Sequence, residues 1–72
     1  PTLVTDVTPD MALYGEETFG PVVTVQPFRD EAEAVRLAND SRYGLCASVW
    51  TADSARADRV ARAIVTGGVS VN

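Results

Sequence analysis

Strand-like and helix-like segments alternate along most of this 72-residue chain. We predict strands over residues 2–7, 22–28, 45–50 and 69–71, because these runs are rich in β-branched and apolar side chains. An order of strand, helix and strand predicts βαβ units with right-handed crossovers and a parallel sheet. The expected fold class is therefore α/β: a partial parallel-type sheet of about four strands with two main helices.

The first helix is predicted from its capping residues. Asp30 is placed to accept hydrogen bonds from first-turn amides while Glu33 reaches back, which is a capping-box arrangement. The cluster at residues 39–41 ends the helix. The apolar face is expected to hold Ala34, Leu37 and Ala38 with Val35 beside them, and the solvent-facing side to hold Glu31, Glu33 and Arg36. Residues 11–15, before the second strand, are expected to form a connecting turn or a short helix.

The second helix is expected to begin near residues 51–53 and to run to about Val65. Its predicted apolar stripe follows the i, i+3, i+4, i+7 spacing and consists of Ala57, Val60, Ala61 and Ile64. Three arginines lie on another side of this helix: Arg56, Arg59 and Arg62. They have the charge to bind phosphate, but the neighbouring Asp53 and Asp58 favour solvated side chains or pairing at a subunit contact.

The chain has more apolar residues than it can enclose. Its hydrophobic content is 46%, the level of a globular interior, yet parallel sheets need helices on both faces, and two helices cannot cover four strands twice. We therefore expect burial against the remainder of a larger parent chain, with no domain boundary inside residues 1–72. A start at Pro1 instead of methionine fits an excised segment, although removal of an initiator methionine gives the same start.

Composition excludes several classes of site and partner. One cysteine and no histidine exclude an internal disulfide, a zinc site of His and Cys, and a Ser-His-Asp triad. A net charge of −4 argues against nucleic acid and anionic membranes as partners. No apolar run approaches the ~20 residues of a membrane span, and neither a phosphate-binding loop nor a G-x-G-x-x-G fingerprint is present. The lone cysteine and the lack of a secretion signal predict a cytoplasmic protein.

Residues 16–21, Glu-Glu-Thr-Phe-Gly-Pro, do not have the pattern of ordinary structure. In an extended segment the side chains of Glu16 and Glu17 point in opposite directions, so that one can face a cleft. An ionised carboxylate only accepts hydrogen bonds, which suits a vicinal diol such as a ribose. Phe19 can present its ring on the same side as Glu17. The alternative is a solvated charge pair with Phe19 in the core.

Several segments of the chain resemble the aldehyde dehydrogenase superfamily, in the same order as in that family. Residues 15–22 resemble its E-E-x-F-G-P-V signature, and residues 1–7 resemble the strand that precedes it. The likeness continues over residues 37–45 (L-A-N-D-S-R-Y-G-L), 48–53 and 68–72. Together these motifs extend the resemblance over essentially the whole chain.

The resemblance implies an enzyme that oxidises an aldehyde to a carboxylic acid with NAD or NADP. In that family a cysteine attacks the aldehyde, hydride passes to the nicotinamide, and water releases the acid. Residues 1–72 correspond to a segment of the catalytic domain, where Glu17 holds the nicotinamide-ribose hydroxyls and Phe19 packs near the nicotinamide. The partners implied are a small aldehyde and other copies of the chain in a homo-oligomer. No catalytic residue falls within the segment, which is expected to be inactive alone.

A second function remains open: a stand-alone, non-catalytic interaction or oligomerisation module on the same scaffold. Cys46 lies outside the family's nucleophile motif and has no basic cluster beside it, so we expect a buried small hydrophobic residue there. Trp50, Tyr43 and Phe28 either line a substrate pocket or pack in the core, and their positions in the sheet favour the core. Asn72 is expected in a structural hydrogen bond. Residues 13–14 (Leu-Tyr) resemble the branch of the family that acts on aromatic aldehydes, but the substrate and the choice of NAD or NADP remain open.

Overall fold

The computed structural model describes all 72 residues, Pro1–Asn72. Four strands of three residues each and three helices follow one another along the chain. They are β1 (Thr2–Val4), α1 (Ala12–Gly15), β2 (Val22–Thr24), α2 (Glu31–Asn39), β3 (Ala47–Val49), α3 (Ser54–Ala63) and β4 (Val69–Val71). The α/β class, the four strands and the two main helices are confirmed. None of the three helices is long and apolar enough to cross a membrane.

The strands form two separate parallel pairs. β1 pairs with β2 from Thr2 opposite Val22, and β3 pairs with β4 from Ala47 opposite Val69. The parallel pairing was predicted, but the single sheet of four strands was wrong, because no hydrogen bonds join the two pairs. Apolar runs identify strands without identifying their neighbours, since either edge of a strand can pair. Each pair therefore has two edges without a strand partner in this chain.

Both main helices begin at an aspartate cap. Asp30 accepts a hydrogen bond from the backbone N–H of Glu33 at 2.8 Å, as predicted, and Asp53 accepts one from the N–H of Arg56 at 3.0 Å. These bonds satisfy amide groups that have no partner within the helix. Glu33 does reach back, but to the N–H of Arg29 at 2.8 Å, one residue before the cap. The N-terminus of α2 is thus fixed by both carboxylates.

The core lies where α3 packs against β3 and β4. Two of the three buried residues, Val49 on β3 and Ala57 on α3, lie there, and the third, Val7, lies between β1 and α1. The stripe predicted on α3 is confirmed, because the other three members, Val60, Ala61 and Ile64, are half-buried. The predicted end at Val65 was too late, since the helix stops at Ala63.

Helix α2 packs against α3 and departs from its prediction on both faces. Ala34, Val35 and Leu37 are half-buried as expected, but Ala38 is exposed. Glu31 and Glu33 were expected in solvent and are half-buried. Ion pairs with arginines cover both carboxylates. Glu31 pairs with arginines of α3, which spacing within α2 does not reveal. Glu33 pairs with Arg29 and Arg36, its neighbours at four and three positions.

The segment around β3 is far less buried than its apolar run predicted. Leu45 is 88% exposed and Trp50 is 76% exposed. The expectation of core positions for Phe28 and Tyr43 was also wrong, because both rings are exposed. One helix covers one face of the β3–β4 pair, and the chain has no further element that covers the rest. Hydrophobicity identified side chains that favour burial, but not whether this chain supplies the covering surface.

The turns that follow α2 and α3 lie against each other. The N–H of Gly67 donates to the carbonyl of Gly44 at 2.9 Å. A Cβ added at Gly67 would lie 2.9 Å from the carbonyl oxygen of Leu45, and one added at Gly44 would lie 3.1 Å from that of Val65. The close approach of the two backbones therefore requires glycine at position 67 and leaves little room at position 44.

Candidate functional site

The segment between α1 and β2 carries the site predicted from the sequence. Helix α1 ends at Gly15, and Glu16 caps it in extended conformation, its N–H donating to Ala12 at 3.0 Å. The backbone then runs without helix or strand to Val22. At its far end the carbonyl of Pro21 accepts a hydrogen bond from the N–H of Thr2 at 2.8 Å, at the start of β1. The site segment is thus held to β1 where it enters β2.

Glu17 and Phe19 both project from this segment without partners in the chain. Glu31 and Glu33 form ion pairs with arginines, but Glu17 forms none and accepts no hydrogen bond from a side chain. The ring of Phe19 is 93% exposed. The alternative that placed Phe19 in the core is therefore wrong for this chain. An unpaired carboxylate and a bare aromatic ring, two residues apart, are available to a ligand.

Glu16 and Glu17 face different surroundings, as expected of neighbours in an extended segment. Glu17 lines an open depression of about 370 Å³ whose other walls are Ala38, Ser41, residues 43–47 and residues 64–66. We call it the Glu17 depression. Glu16 lines a different one, together with Tyr14, Asp40 and Arg42. The two carboxylates are therefore not equivalent: both depressions reach the turn after α2, but only the one lined by Glu17 also reaches the turn after α3.

Cys46 also lines the Glu17 depression, and it is exposed. The expectation of a buried cysteine was wrong, for the same reason as at Leu45: no element of this chain covers the start of β3. Its thiol makes no hydrogen bond, and no charged group but Glu17 lines the Glu17 depression with it. That Cys46 is not the catalytic nucleophile stays a prediction.

The three arginines of α3 are occupied by carboxylates of the same chain. Arg59 donates to Glu31 at 2.6 and 2.7 Å, and Arg56 lies 3.5 Å from Glu31. Arg62 pairs with Asp58 at 3.0 Å within α3. Pairing of these arginines at a subunit contact stays a prediction. The hydrogen bonds from Arg59, with its positive charge, hold the pKa of Glu31 below its ordinary value. Because these guanidinium groups are already paired, they do not form a free phosphate site.

Two asparagines connect elements that are distant in sequence. Asn72 accepts a hydrogen bond from the N–H of Thr51 at 3.0 Å, which confirms its predicted structural role. Asn39, expected only to help end α2, donates to the carbonyl of Ala63 at 2.9 Å and accepts from the N–H of Val65 at 2.8 Å. It thereby fixes the end of α2 to the end of α3. The sequence signal for this was only an amide at a helix terminus.

Tyr14 makes a second contact that the sequence did not indicate. Its hydroxyl on α1 donates to the carboxylate of Asp40, the C-cap of α2. This hydrogen bond, with the nearby negative charge, raises the pKa of the Tyr14 phenol. The residues just before Glu16 and Glu17 are thus joined to α2.

The residues present suit one part of a nicotinamide dinucleotide and do not suit a metal ion. No group of three or more Cys, Asp and Glu side chains is placed to hold a metal. Glu17 offers two acceptor oxygens that no group of the chain occupies, which suits the paired hydroxyls of a ribose. Phe19 offers an exposed flat ring for stacking or packing. No phosphate-binding loop accompanies them, so the chain has the side chains for only one portion of such a cofactor.

Comparison with known proteins matches the whole chain to one family. The model of the aldehyde dehydrogenase family matches residues 1–72. The chain is 57% identical over its full length to succinate-semialdehyde dehydrogenase [NADP(+)] of Deinococcus radiodurans and 47% identical to the chloroplastic betaine aldehyde dehydrogenase of Atriplex hortensis. It spans 15% of the first relative's length and 14% of the second's.

Solved structures have the same backbone arrangement. A crystal structure of betaine aldehyde dehydrogenase from Staphylococcus aureus in complex with NAD⁺ matches with a TM-score of 0.91 and 45% identity. The match covers 96% of this chain and 14% of that one. The two parallel strand pairs and their helices are therefore similar to a segment of a much longer chain.

Proposed function

The chain belongs to the aldehyde dehydrogenase family, and from this membership we propose that its residues are part of a longer NAD(P)-dependent enzyme that oxidises an aldehyde to a carboxylic acid. Residues 1–72 form one uninterrupted segment of the catalytic domain in this proposal. The single observation that carries it is the state of Glu17 and Phe19, which stand unpaired and exposed in the segment where the family signature lies.

Glu17 and Phe19 position the cofactor in this proposal and perform no bond-breaking step. The Glu17 carboxylate accepts hydrogen bonds from the two hydroxyls of the nicotinamide ribose, because both of its oxygens are free of other partners. The Phe19 ring packs near the nicotinamide and limits its position. When bound, the cofactor supplies a hydride acceptor. Fixing the orientation of reacting groups lowers the barrier, and a displacement of 1 Å can cost about 100-fold in rate.

The rest of the parent chain covers the apolar surface that these residues leave bare. Large apolar side chains such as Leu3, Leu45 and Trp50 are more than half exposed, and covering them would remove apolar surface from water. The open edges of the two strand pairs are further places for pairing with the same parent. We propose a cytoplasmic homo-oligomer, which is inactive when reduced to this segment.

The cofactor and the aldehyde are proposed only as classes. One relative is named for NADP(+), and a structural relative was solved with NAD⁺. The relatives are likewise named for different aldehydes, succinate semialdehyde and betaine aldehyde. In this proposal Glu17 binds the nicotinamide ribose, which is the same in NAD and NADP. Its carboxylate therefore does not select between the two cofactors.

The test compares Glu17→Gln with Glu16→Gln in the full-length enzyme. Each substitution removes one negative charge, and the two positions are adjacent in sequence. Glu16 lines a different depression from Glu17, so it serves as the matched control. We expect Glu17→Gln to lower kcat by about 10- to 100-fold with an unchanged melting temperature, and Glu16→Gln to stay near the wild type. Phe19→Ala should also slow the enzyme.

Equal rates for Glu17→Gln and the wild type would contradict the cofactor role. A second measurement addresses the alternative of a stand-alone module. Calorimetry with NAD⁺ and NADP⁺ on the purified 72-residue chain should give no heat of binding. The chain contacts the cofactor only through Glu17 and Phe19, and two such contacts do not offset the entropy lost on binding. Tight binding to these residues would show that the segment does not need a parent chain.

A further inference from the structure

We propose that Tyr14 and Asp40 are positioning residues that hold the site segment, and with it Glu17, at the correct distance from α2. This inference rests on the cofactor role proposed for Glu17. The Tyr14 hydroxyl donates to the Asp40 carboxylate across 26 positions of sequence. Tyr14 precedes Glu17 by three residues, so that a displacement of its ring is transmitted to Glu17 along a very short length of backbone.

Within residues 1–72, helix α1 has little else to hold it in place. It is a single turn of four residues with no side-chain cap at Met11, and helices this short are unstable by themselves in water. It does not pack closely against any other helix or strand. From residue 8 to residue 20, the Tyr14–Asp40 contact is the only hydrogen bond to a distant part of the chain. The position of α1 therefore depends on this contact.

Asp40, in contrast, belongs to a fixed part of the structure. Its neighbour Asn39 makes the two hydrogen bonds to the end of α3. At the other end of α2, Glu31 is bound by Arg59 of α3. Asp40, at the C-cap of a helix held at both ends, is therefore a fixed point to which α1 is attached. Helix α3 thus holds α2, Asp40 at the end of α2 holds Tyr14, and Tyr14 holds the segment that carries Glu17.

The contact lies beside the Glu17 depression. Tyr14, Glu16 and Asp40 line the adjoining depression, and Ser41 lines both. When the Tyr14 hydroxyl is removed, α1 loses its one distant hydrogen bond and the Glu17 carboxylate spreads over a wider range of positions. The expected result is weaker cofactor binding and slower hydride transfer, although neither Tyr14 nor Asp40 touches the cofactor.

The experiment uses the full-length enzyme with the variants Tyr14→Phe, Asp40→Ala and Asp40→Asn. The KM for the cofactor, kcat and the melting temperature are measured for each. Tyr14→Phe and Asp40→Ala should change kcat/KM for the cofactor several-fold, within the about 100-fold that a 1 Å misplacement can cause. Asp40→Asn keeps an oxygen that accepts from the tyrosine hydroxyl, so it should restore nearly wild-type kinetics. A purely structural role would lower the melting temperature and leave the kinetics unchanged, which would overturn the proposal.

The double variant Tyr14→Phe/Glu17→Gln separates this proposal from the one on which it rests. If Tyr14 acts through Glu17, the double variant should be no slower than Glu17→Gln alone, since coupled residues are not additive. Fully additive effects would overturn the inference. A slow Glu17→Gln beside wild-type kinetics for Tyr14→Phe and Asp40→Ala would overturn this inference alone. A Glu17→Gln variant at the wild-type rate would overturn the cofactor role, and the present inference with it.

Discussion

Glu31 on α2 accepts two hydrogen bonds from the guanidinium group of Arg59 on α3, at 2.6 and 2.7 Å, across 28 positions of sequence. Both oxygens of one carboxylate meet two nitrogens of one planar group, which is the stronger form of this ion pair. Arg56 lies 3.5 Å from the same carboxylate and adds charge to it. The contact between α2 and α3 therefore includes a bidentate ion pair.

Glu31→Gln should lower the melting temperature of the full-length enzyme, because it removes the charge that two arginines share. The effect should be small, since the Glu31 side chain is 33% exposed and that of Arg59 is 57% exposed. Asp58→Asn is the matched control, because it breaks a more exposed pair with Arg62 inside α3. The melting temperature, read by differential scanning calorimetry, should fall less in Asp58→Asn than in Glu31→Gln. Equal losses would contradict a structural role for the interhelical pair.

The stabilisation from Glu31 should disappear in acid. Its pKa in the folded chain is lowered from 4.5, mainly by the hydrogen bonds from Arg59. A lowered folded-state pKa means that the stabilisation is present above pH 4.5 and is lost as the pH falls through the lower folded value. The difference in melting temperature between wild type and Glu31→Gln should therefore be constant near neutral pH and shrink in acid. A difference in melting temperature that grows below pH 4.5 would contradict a lowered pKa for Glu31 in the folded chain.

Asn39→Ala should destabilise the α2–α3 unit by about 1–3 kcal/mol, because two hydrogen bonds of about 0.5–1.5 kcal/mol each are lost. Asn39→Asp provides an internal comparison. The aspartate still accepts from the N–H of Val65 but can no longer donate to the carbonyl of Ala63. Its stability, measured by urea unfolding, should lie between those of the wild type and Asn39→Ala. An alanine variant as stable as the wild type would show that the bridge contributes nothing.

Gly67→Ala should be more destabilising than Gly68→Ala, although the two positions are adjacent. A Cβ at Gly67 would lie 2.9 Å from the backbone oxygen of Leu45, whereas one at Gly68 would meet nothing within 4 Å. Neither glycine has a positive φ, so the difference is purely steric. Forcing the backbone apart costs about 1–3 kcal/mol. Thermal inactivation of the two variants should differ clearly, and equal half-lives would contradict the close approach of the turns.

Local features were predictable from the sequence because they depend on neighbouring residues. The Asp30 cap, the apolar stripe of α3 and the parallel strands follow from capping chemistry and periodicity. The hydrogen-bonding role of Asn72 was also correct. The cofactor role of Glu17, implied by the resemblance to the E-E-x-F-G-P-V signature, stays a prediction; the structure shows only that its carboxylate has no partner in the chain.

Contacts between distant residues were not predictable. Nothing in the spacing of α2 indicated that Glu31 meets Arg59, or that Tyr14 reaches Asp40, because such pairs arise only when helices are packed together. The burial of Trp50 and Cys46 was predicted wrongly for a related reason. An apolar residue shows a preference for the interior, but the covering surface has to come from other residues, and the elements of this chain cover only part of the strands.

The contact between the turns at Gly44 and Gly67 makes the lengths of two connections depend on each other. Directly beyond it, the N–H of Ala47 donates to the carbonyl of Gly68 at 2.9 Å, which starts the pairing of β3 with β4. An insertion of one residue in either turn would shift one strand against the other; in the turn before β3 it would also turn Val49 away from α3. Relatives of this chain should therefore gain or lose residues freely before α1, but not in either of these turns unless both change together.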